Sequence, residues 1–180
     1  MYILNHHMTP LANLHIDIDV RVHTILEGHA DWLCGKGCDG CCRRLAEVPQ
    51  LTFAEWELLR EGLAALSAER LQEIRMLAIS SQQDRPLTCP MLDRSSGTCP
   101  VYHQRPVACR TYGFYVQRDK GLYCHDIELQ VDEGRLPSVV WGNHDAIDQQ
   151  LARLGESRAL SDWFECWMRE SCTTELTHPE

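Results

Sequence analysis

The sequence predicts an α+β fold that is predominantly helical and holds a small irregular cysteine-rich domain. Three observations carry this. Residues 51–66 and 160–168 place apolar side chains at helical spacing. Eight of the ten cysteines fall between Cys34 and Cys124, in stretches broken by glycine and proline. Strand-like alternation is confined to short runs.

The 180 residues suit one domain, or one with an appendage. We divide them into a cysteine-cluster domain over 1–135 and a C-terminal helical extension over 136–180, packed on it. Hydrophobic residues make up 44% of the chain and five are Trp, enough for a packed core. No stretch has the eighteen or so apolar residues needed to cross a membrane. The opening MYILNHHMTP has neither a basic region nor a long apolar segment, so the expectation is a cytoplasmic chain without membrane association. The net charge of -9 argues against nucleic acid as a partner. The cations are nearly all arginine, with Lys36 and Lys120 the exceptions. Arginine keeps its charge when partly buried.

Residues 14–33 begin with alternating Ile16, Ile18, Val20 and Val22, then lose the alternation on the way to Trp32 and Leu33. A helix is the preferred reading. LTFAEWELLREGLAAL is a clearer one. Thr52 and Glu55 form a capping box, and Phe53, Trp56, Leu59, Leu63 and Leu66 make an apolar stripe. Ser67 can cap a second helix bearing Leu71, Ile74 and Ala78. Residues 86–125 read as turns and short pieces. Ile127, Leu129 and Val131 alternate with polar residues and suggest a strand. Leu160, Trp163, Phe164, Trp167 and Met168 form a second helical stripe.

The chemistry resides in the cysteines. Dense cysteines in a reducing compartment are more often metal ligands than disulfides. CGKGCDGCC packs Cys34, Cys38, Cys41 and Cys42 into nine residues. Its glycines permit the positive φ angles of a tight loop and free backbone N–H groups to face sulfur. Lys36, Arg43 and Arg44 lie beside this loop, and Arg94, Arg105 and Arg110 beside later cysteines. Nearby cations favour thiolate, the ligating form. Adjacent side chains diverge, so Cys41 and Cys42 either serve different sites or grip different atoms of one polynuclear cluster. With Cys89, Cys99, Cys109 and Cys124 the thiols total eight, enough for two four-cysteine sites. Such sites accept zinc or an iron–sulfur cluster. The x3-then-x2 spacing is closer to iron–sulfur loops and also matches that of radical S-adenosylmethionine enzymes. However, the chain is short for their barrel, and no strand–helix series follows.

The order CGKGCDGCC, CPML, GTCPVYHQRPVACRTYGF and YC resembles the YkgJ-like cysteine-cluster family of zinc- or iron-chelating proteins. The match runs from about Cys34 to Cys124, with Val101 where isoleucine is usual. The resemblance implies a metal centre, an iron–sulfur cluster (4Fe-4S) or Zn, held by Cys34, Cys38, Cys41, Cys42, Cys89, Cys99, Cys109 and Cys124. It also implies similarity to the cysteine-rich part of flagellin lysine N-methylases. Tyr102, Arg105, Pro106 and Arg110 fall on the family motif. Pro106 would fix a turn, while Arg105 and Arg110 would support the cofactor by offsetting thiolate charge or bonding backbone carbonyls.

Other residues carry less. Cys166 and Cys172 read as free thiols. His103 and His125 flank cluster cysteines and could each replace one, although eight thiols suffice. His6 and His7 read as surface residues. WGNHD, residues 141–145, contains either a site or a helix N-cap. The expected function is metal binding with a redox, electron-transfer or cluster-dependent role. The alternatives are a zinc-stapled interaction module with a protein partner, and a cluster-dependent enzyme using S-adenosylmethionine. The sequence leaves open whether any reaction is catalysed.

Overall fold

The computed structural model describes residues 8–80, 85–118 and 120–169. The described chain is α+β and predominantly helical, as the sequence predicts. Helix α1 spans Pro10–Gly28, with Thr9 as its N-cap and Pro10 at the first helical position, where a missing N–H costs nothing. Its buried face is Leu11, Leu14, His15, Ile18 and Ile25, a helical repeat. Ile16 and Val20 are exposed, so the early alternation has no structural counterpart.

The cysteine loop follows and ends in a single turn, α2 (Gly40–Arg43). Strand β1 (Gln50–Thr52) leads directly into α3 (Phe53–Ala64). Thr52 and Glu55 form the predicted capping box. Ser67 accepts a bond from the Arg70 N–H at the start of α4 (Ala68–Ser80), the capping role predicted for it. A long irregular segment then leads to α5 (Val107–Thr111). Strands β2 (Tyr115–Gln117) and β3 (Lys120–Gly121) precede α6 (His125–Asp132). Strand β4 (Gly142–Asn143) precedes α7 (His144–Ala152), and β5 (Ser157–Ala159) precedes α8 (Leu160–Met168).

Residues 127–131 are helical in α6, not a strand. Ile127 and Gln130 are buried three positions apart, whereas Leu129 and Val131 are exposed. Asp126 and Glu128 lie in the first turn, where carboxylates suit the helix dipole. The buried Gln130 amide donates to the Asp31 carbonyl at 2.9 Å. That anchor needs Gln130 inside, and only the helical period places it there.

Two small sheets stitch distant segments together. β1 pairs antiparallel with β5, with Leu51 opposite Arg158. β2 pairs antiparallel with β3 and parallel with β4. The residues after 136 therefore contribute to both sheets and to two apolar cores. The first core gathers α1, Trp32, α5, Phe114, α6 and Ile147. The second gathers β1, α3, α4, Met91, Val101 and α8. In the second core the Trp163 indole N–H donates to the Leu51 carbonyl at 2.9 Å and stacks beside Trp56. Met168 is exposed and falls off the predicted stripe.

Glu55 joins the two cores. It is buried, and its Oε2 accepts from the Thr52 N–H at 2.9 Å and the Thr52 hydroxyl at 2.8 Å. Its Oε1 accepts from the Val107 N–H at 3.0 Å, which caps α5 from a residue 52 positions away. Glu55→Ala is expected to leave the Val107 N–H unpaired in the interior and to cost about 2–4 kcal/mol in denaturant unfolding. Glu55→Gln keeps one acceptor oxygen and is expected to lose less.

Candidate metal centre

Four separate pieces of chain deliver the eight cysteines. The loop before α2 brings Cys34 and Cys38, and α2 itself carries Cys41 and Cys42. The irregular segment after α4 brings Cys89 and Cys99, α5 brings Cys109, and Cys124 stands at the N-cap of α6. Backbone pairing holds the first two pieces together. Leu45 bridges Leu87 in both directions, and the Cys89 N–H donates to the Cys42 carbonyl at 2.7 Å.

All of the eight except Cys124 line one cavity of about 450 Å³. Its remaining wall is largely apolar, with Val22, Leu59, Phe114 and Leu160 among its side chains. Cys124 packs with Cys34 against the first core. The Cys41 and Cys42 sulfurs are 4.0 Å apart. Cys34 points its thiol at the Tyr112 carbonyl, 3.6 Å away. No three histidine, cysteine or carboxylate side chains among the described residues converge tightly enough to enclose a single ion.

Burial governs the thiols. It pushes the Cys34 thiol up to about 12, with Cys38, Cys41 and Cys124 adding to the effect. Cys109 is pushed up to about 12 by burial and by Cys42, Cys41 and Cys99. For Cys42, the hydrogen bond with Cys41 acts downward. Contact with Cys89, burial and repulsion from Cys89 and Cys99 outweigh it and take the thiol up to about 12. Cys41 is raised as well, first by its bond with Cys42 and then by burial. Cys99 is raised by burial.

Arg105 is the cation that opposes this shift at the most thiols. Its charge acts downward on Cys34, Cys99 and Cys109. It lines the cavity, and its guanidinium lies 3.9 Å from the centre of the Tyr102 ring, a cation–π stack that fixes its position. Its Nε is buried with no hydrogen-bond partner among the described residues. Arg110 acts on the backbone. Its Nη2 donates to the His103 carbonyl at 2.6 Å, its Nε to the Arg105 carbonyl at 3.1 Å, and its Nη1 pairs with Asp19 of α1 at 3.3 Å. Pro106 stands at the N-cap of α5. Of the three loop glycines, Gly37 alone adopts a positive φ, at 97°.

Several predicted residues lie elsewhere. His103 is exposed and His125 pairs with Glu128 at the surface, and neither lines the cavity. Asn143 is the N-cap of α7, His144 pairs with Asp148, and Asp145 pairs with Arg118. Arg43 is held by Asp39. Cys166, expected as a free thiol, is disulfide-bonded. Cys172, His6 and His7 lie outside the described residues.

Two contributors were not legible in the sequence. Arg70 of α4 donates to the Leu92 carbonyl at 3.2 Å, which ties down the loop between Cys89 and Cys99, and its charge reaches Cys99. Gly113 has φ 87°, and a Cβ there would stand 2.7 Å from the Cys34 sulfur. Arg70 lies far from its target in sequence, and Gly113 reads as an ordinary turn glycine.

A helical scaffold with thiols gathered round a cavity, a fixed cation and a largely apolar wall is a setting suited to a metal-chelating domain. The chain belongs to the CxxCxxCC family, whose description is "Putative zinc- or iron-chelating domain", with residues 33–133 matched. No curated protein and no solved structure shows significant similarity to it. Among the described residues no helix is long and apolar enough to cross a membrane.

Two expectations follow. Gly113→Ala drives a methyl group into Cys34 at a backbone angle that L-residues rarely adopt. It is expected to cost about 1–3 kcal/mol and to lower bound metal, read by melting temperature and metal analysis. The raised thiols are neutral in the metal-free chain near pH 7, so each ligating sulfur must release a proton on binding. Affinity is therefore expected to rise with pH, on the order of tenfold per unit for each proton displaced. Calorimetry in buffers of different ionisation enthalpy measures that release. The metal-free fold has the opposite trend. Raised thiols contribute stability that is present below their ordinary value of 9.0 and is lost as pH climbs toward about 12.

Proposed function

We propose that the zinc- or iron-chelating centre of this chain is an iron–sulfur centre of the 4Fe-4S type with a redox or electron-transfer role. The observation that carries this reading is the cavity of about 450 Å³ ringed by seven cysteine sulfurs. A structural zinc ion holds its four sulfurs at about 2.3 Å, so two of them stand only about 3.8 Å apart. Such a site closes on itself and leaves no interior. A polynuclear cluster is several ångströms across and needs room between its ligands. The apolar wall and the buried thiols suit a cofactor whose potential depends on exclusion of water.

When bound, such a cluster supplies one-electron chemistry. The chain's own residues do the rest. The cysteines bind, Arg105 offsets thiolate charge from a position fixed by Tyr102, and Arg110 holds the turn that presents Cys109. The apolar side chains limit water.

One observation favours zinc. The 4.0 Å between the Cys41 and Cys42 sulfurs is close to the spacing of two thiolates on one ion. The chain would then be a zinc-stapled module acting through a protein partner. Anaerobic purification, followed at once by an absorption spectrum and by iron, sulfide and zinc analysis of the same sample, separates the two. The expected outcome is a brown protein with matching iron and sulfide. A colourless protein holding stoichiometric zinc would overturn the iron–sulfur reading.

A further inference from the structure

We infer that the mouth of the cavity is a binding site for a small organic carboxylate with an apolar body, its charge held by Arg105 and Lys36 and its apolar part by the cavity wall. The inference goes beyond the metal-chelating reading and does not depend on which metal the thiols hold.

The cavity has an open end. Gly35, Lys36, Gly37 and Cys38 all line it and are all exposed. Leu26 lines it too and is 36% exposed. A Cβ on Gly35 or Gly37 would meet nothing within 4 Å. The loop therefore forms a rim with free space beside it.

Two cations share one corner of that rim. The Arg105 guanidinium lies 3.9 Å from the centre of the Tyr102 ring, and the Lys36 Nζ lies 5.7 Å from the same centre. Both residues line the cavity, and neither forms a side-chain hydrogen bond or ion pair with a described residue. No aspartate or glutamate among the described residues lines the cavity. Asp39, the carboxylate of the same loop, is taken by Arg43 at 2.6 Å. The other arginines that support the cysteine region are also engaged. Arg110 pairs with Asp19, and Arg70 pairs with Glu73 and bonds the Leu92 carbonyl. Arg105 and Lys36 thus differ from these arginines in having an apolar ring for support and no anion of the protein to meet.

The two sides of the Arg105 guanidinium have different surroundings. Its Nε is shut in the interior, whereas its terminal nitrogens, which carry most of its N–H donors, are not. The outer edge can meet a planar carboxylate through two parallel hydrogen bonds. The inner edge stays toward the buried side, so an outward ligand and the charge offset of the thiols do not compete for the same atoms.

The wall decides between anions. Val22, Leu26, Leu59 and Phe114 offer apolar surface, and the thiols are weak hydrogen-bond partners. The volume of about 450 Å³ falls within the roughly 300–1,000 Å³ of small-molecule sites, which combine an apolar lining with a few polar groups that fix orientation. Inorganic phosphate would find the charges but leave the wall unused. A carboxylate with an apolar body uses both.

The test is calorimetry on the full, metal-loaded chain with benzoate, acetate and inorganic phosphate as probes, and metal analysis of each sample. Wild type is expected to bind benzoate saturably, one per chain, and acetate at least about tenfold more weakly, since acetate lacks the ring that the wall would bury. Lys36→Gln removes one cation at an exposed position and is expected to weaken benzoate about threefold with unchanged metal content. Lys36→Arg is expected to restore it. Arg105→Gln is expected to weaken benzoate by about tenfold or more. Should Arg105→Gln also lose metal, the Lys36 variants decide. Absence of saturable benzoate binding to wild type would overturn the inference. Acetate or phosphate binding as tightly as benzoate would overturn the assignment of ligand class. Wild-type affinity in Lys36→Gln at wild-type metal content would remove the proposed corner. A chain that binds benzoate as expected but holds no iron or zinc would overturn the metal-chelating reading and leave this site standing.

Discussion

The structure is organised around one electrostatic constraint. Seven of its eight clustered thiols face a single cavity, and burial together with neighbouring thiols pushes Cys34, Cys42 and Cys109 up to about 12. So many sulfurs in a low-dielectric space cannot ionise together without cations among them. Each thiolate raises the cost of the next. A protein gains nothing from that arrangement as a packed core, because cysteine contributes little more than a small apolar side chain. A multivalent metal cation reverses the balance, since it favours the ionised form of every ligand it touches.

The rest of the fold brings four distant stretches of chain to that cavity and fixes them there. Glu55 holds the start of α5 against the start of α3. Arg110 fastens the turn before α5 to α1 through Asp19. The Leu45–Leu87 bridge and the Cys89–Cys42 bond join the loop of the first cysteines to that of the later ones. Arg70 anchors the Met91–Leu92 turn from α4. None of these groups needs to touch metal. They replace the ordering that regular secondary structure would give, in a region where prolines and glycines leave the backbone without long ladders of its own. The longer helices thus act as walls, while the irregular segments and the short helices α2 and α5 carry the cysteines to the cavity.

Much of this was legible in the sequence where a local rule governs. The Thr52–Glu55 capping box, the Ser67 cap and the stripe of Trp163 and Phe164 depend on neighbours within a turn or two, and spacing alone identifies them. That seven of the cysteines share a cavity was foreshadowed for a different reason: thiols are rare, and their order is distinctive. What failed to show was long-range. Ile127, Leu129 and Val131 imitate a strand because nothing local reveals that Gln130 is the buried residue, bonded to Asp31, 99 positions earlier. The second bond of Glu55, the reach of Arg70 and the closeness of Gly113 to Cys34 are likewise products of tertiary placement. The state of Cys166 is also not a matter of periodicity, and helical spacing could only set it apart from the stripe.

Charge gives the last step. Four thiolates on a zinc ion leave a formal charge of about -2, and two such sets would add about -4 to a chain already at -9. Surface arginines cannot compensate that locally, because water and salt screen them within about 10 Å. The compensating cation has to be inside, near the thiols and unable to swing away. Arg105 meets each requirement. It lines the cavity, it acts on Cys34 beside the first core and on Cys99 beside the second, and the face of Tyr102 holds its guanidinium at 3.9 Å. Lysine could not replace it well, since its compact, strongly hydrated ammonium lacks the planar group that stacks on the ring. Lys36 does approach the same ring, but at 5.7 Å and from an exposed loop position. The R-P-x-x-C-R stretch is then a single device. Arg105 supplies a half-buried charge, Pro106 starts the helix that carries Cys109, and Arg110 closes the turn onto α1.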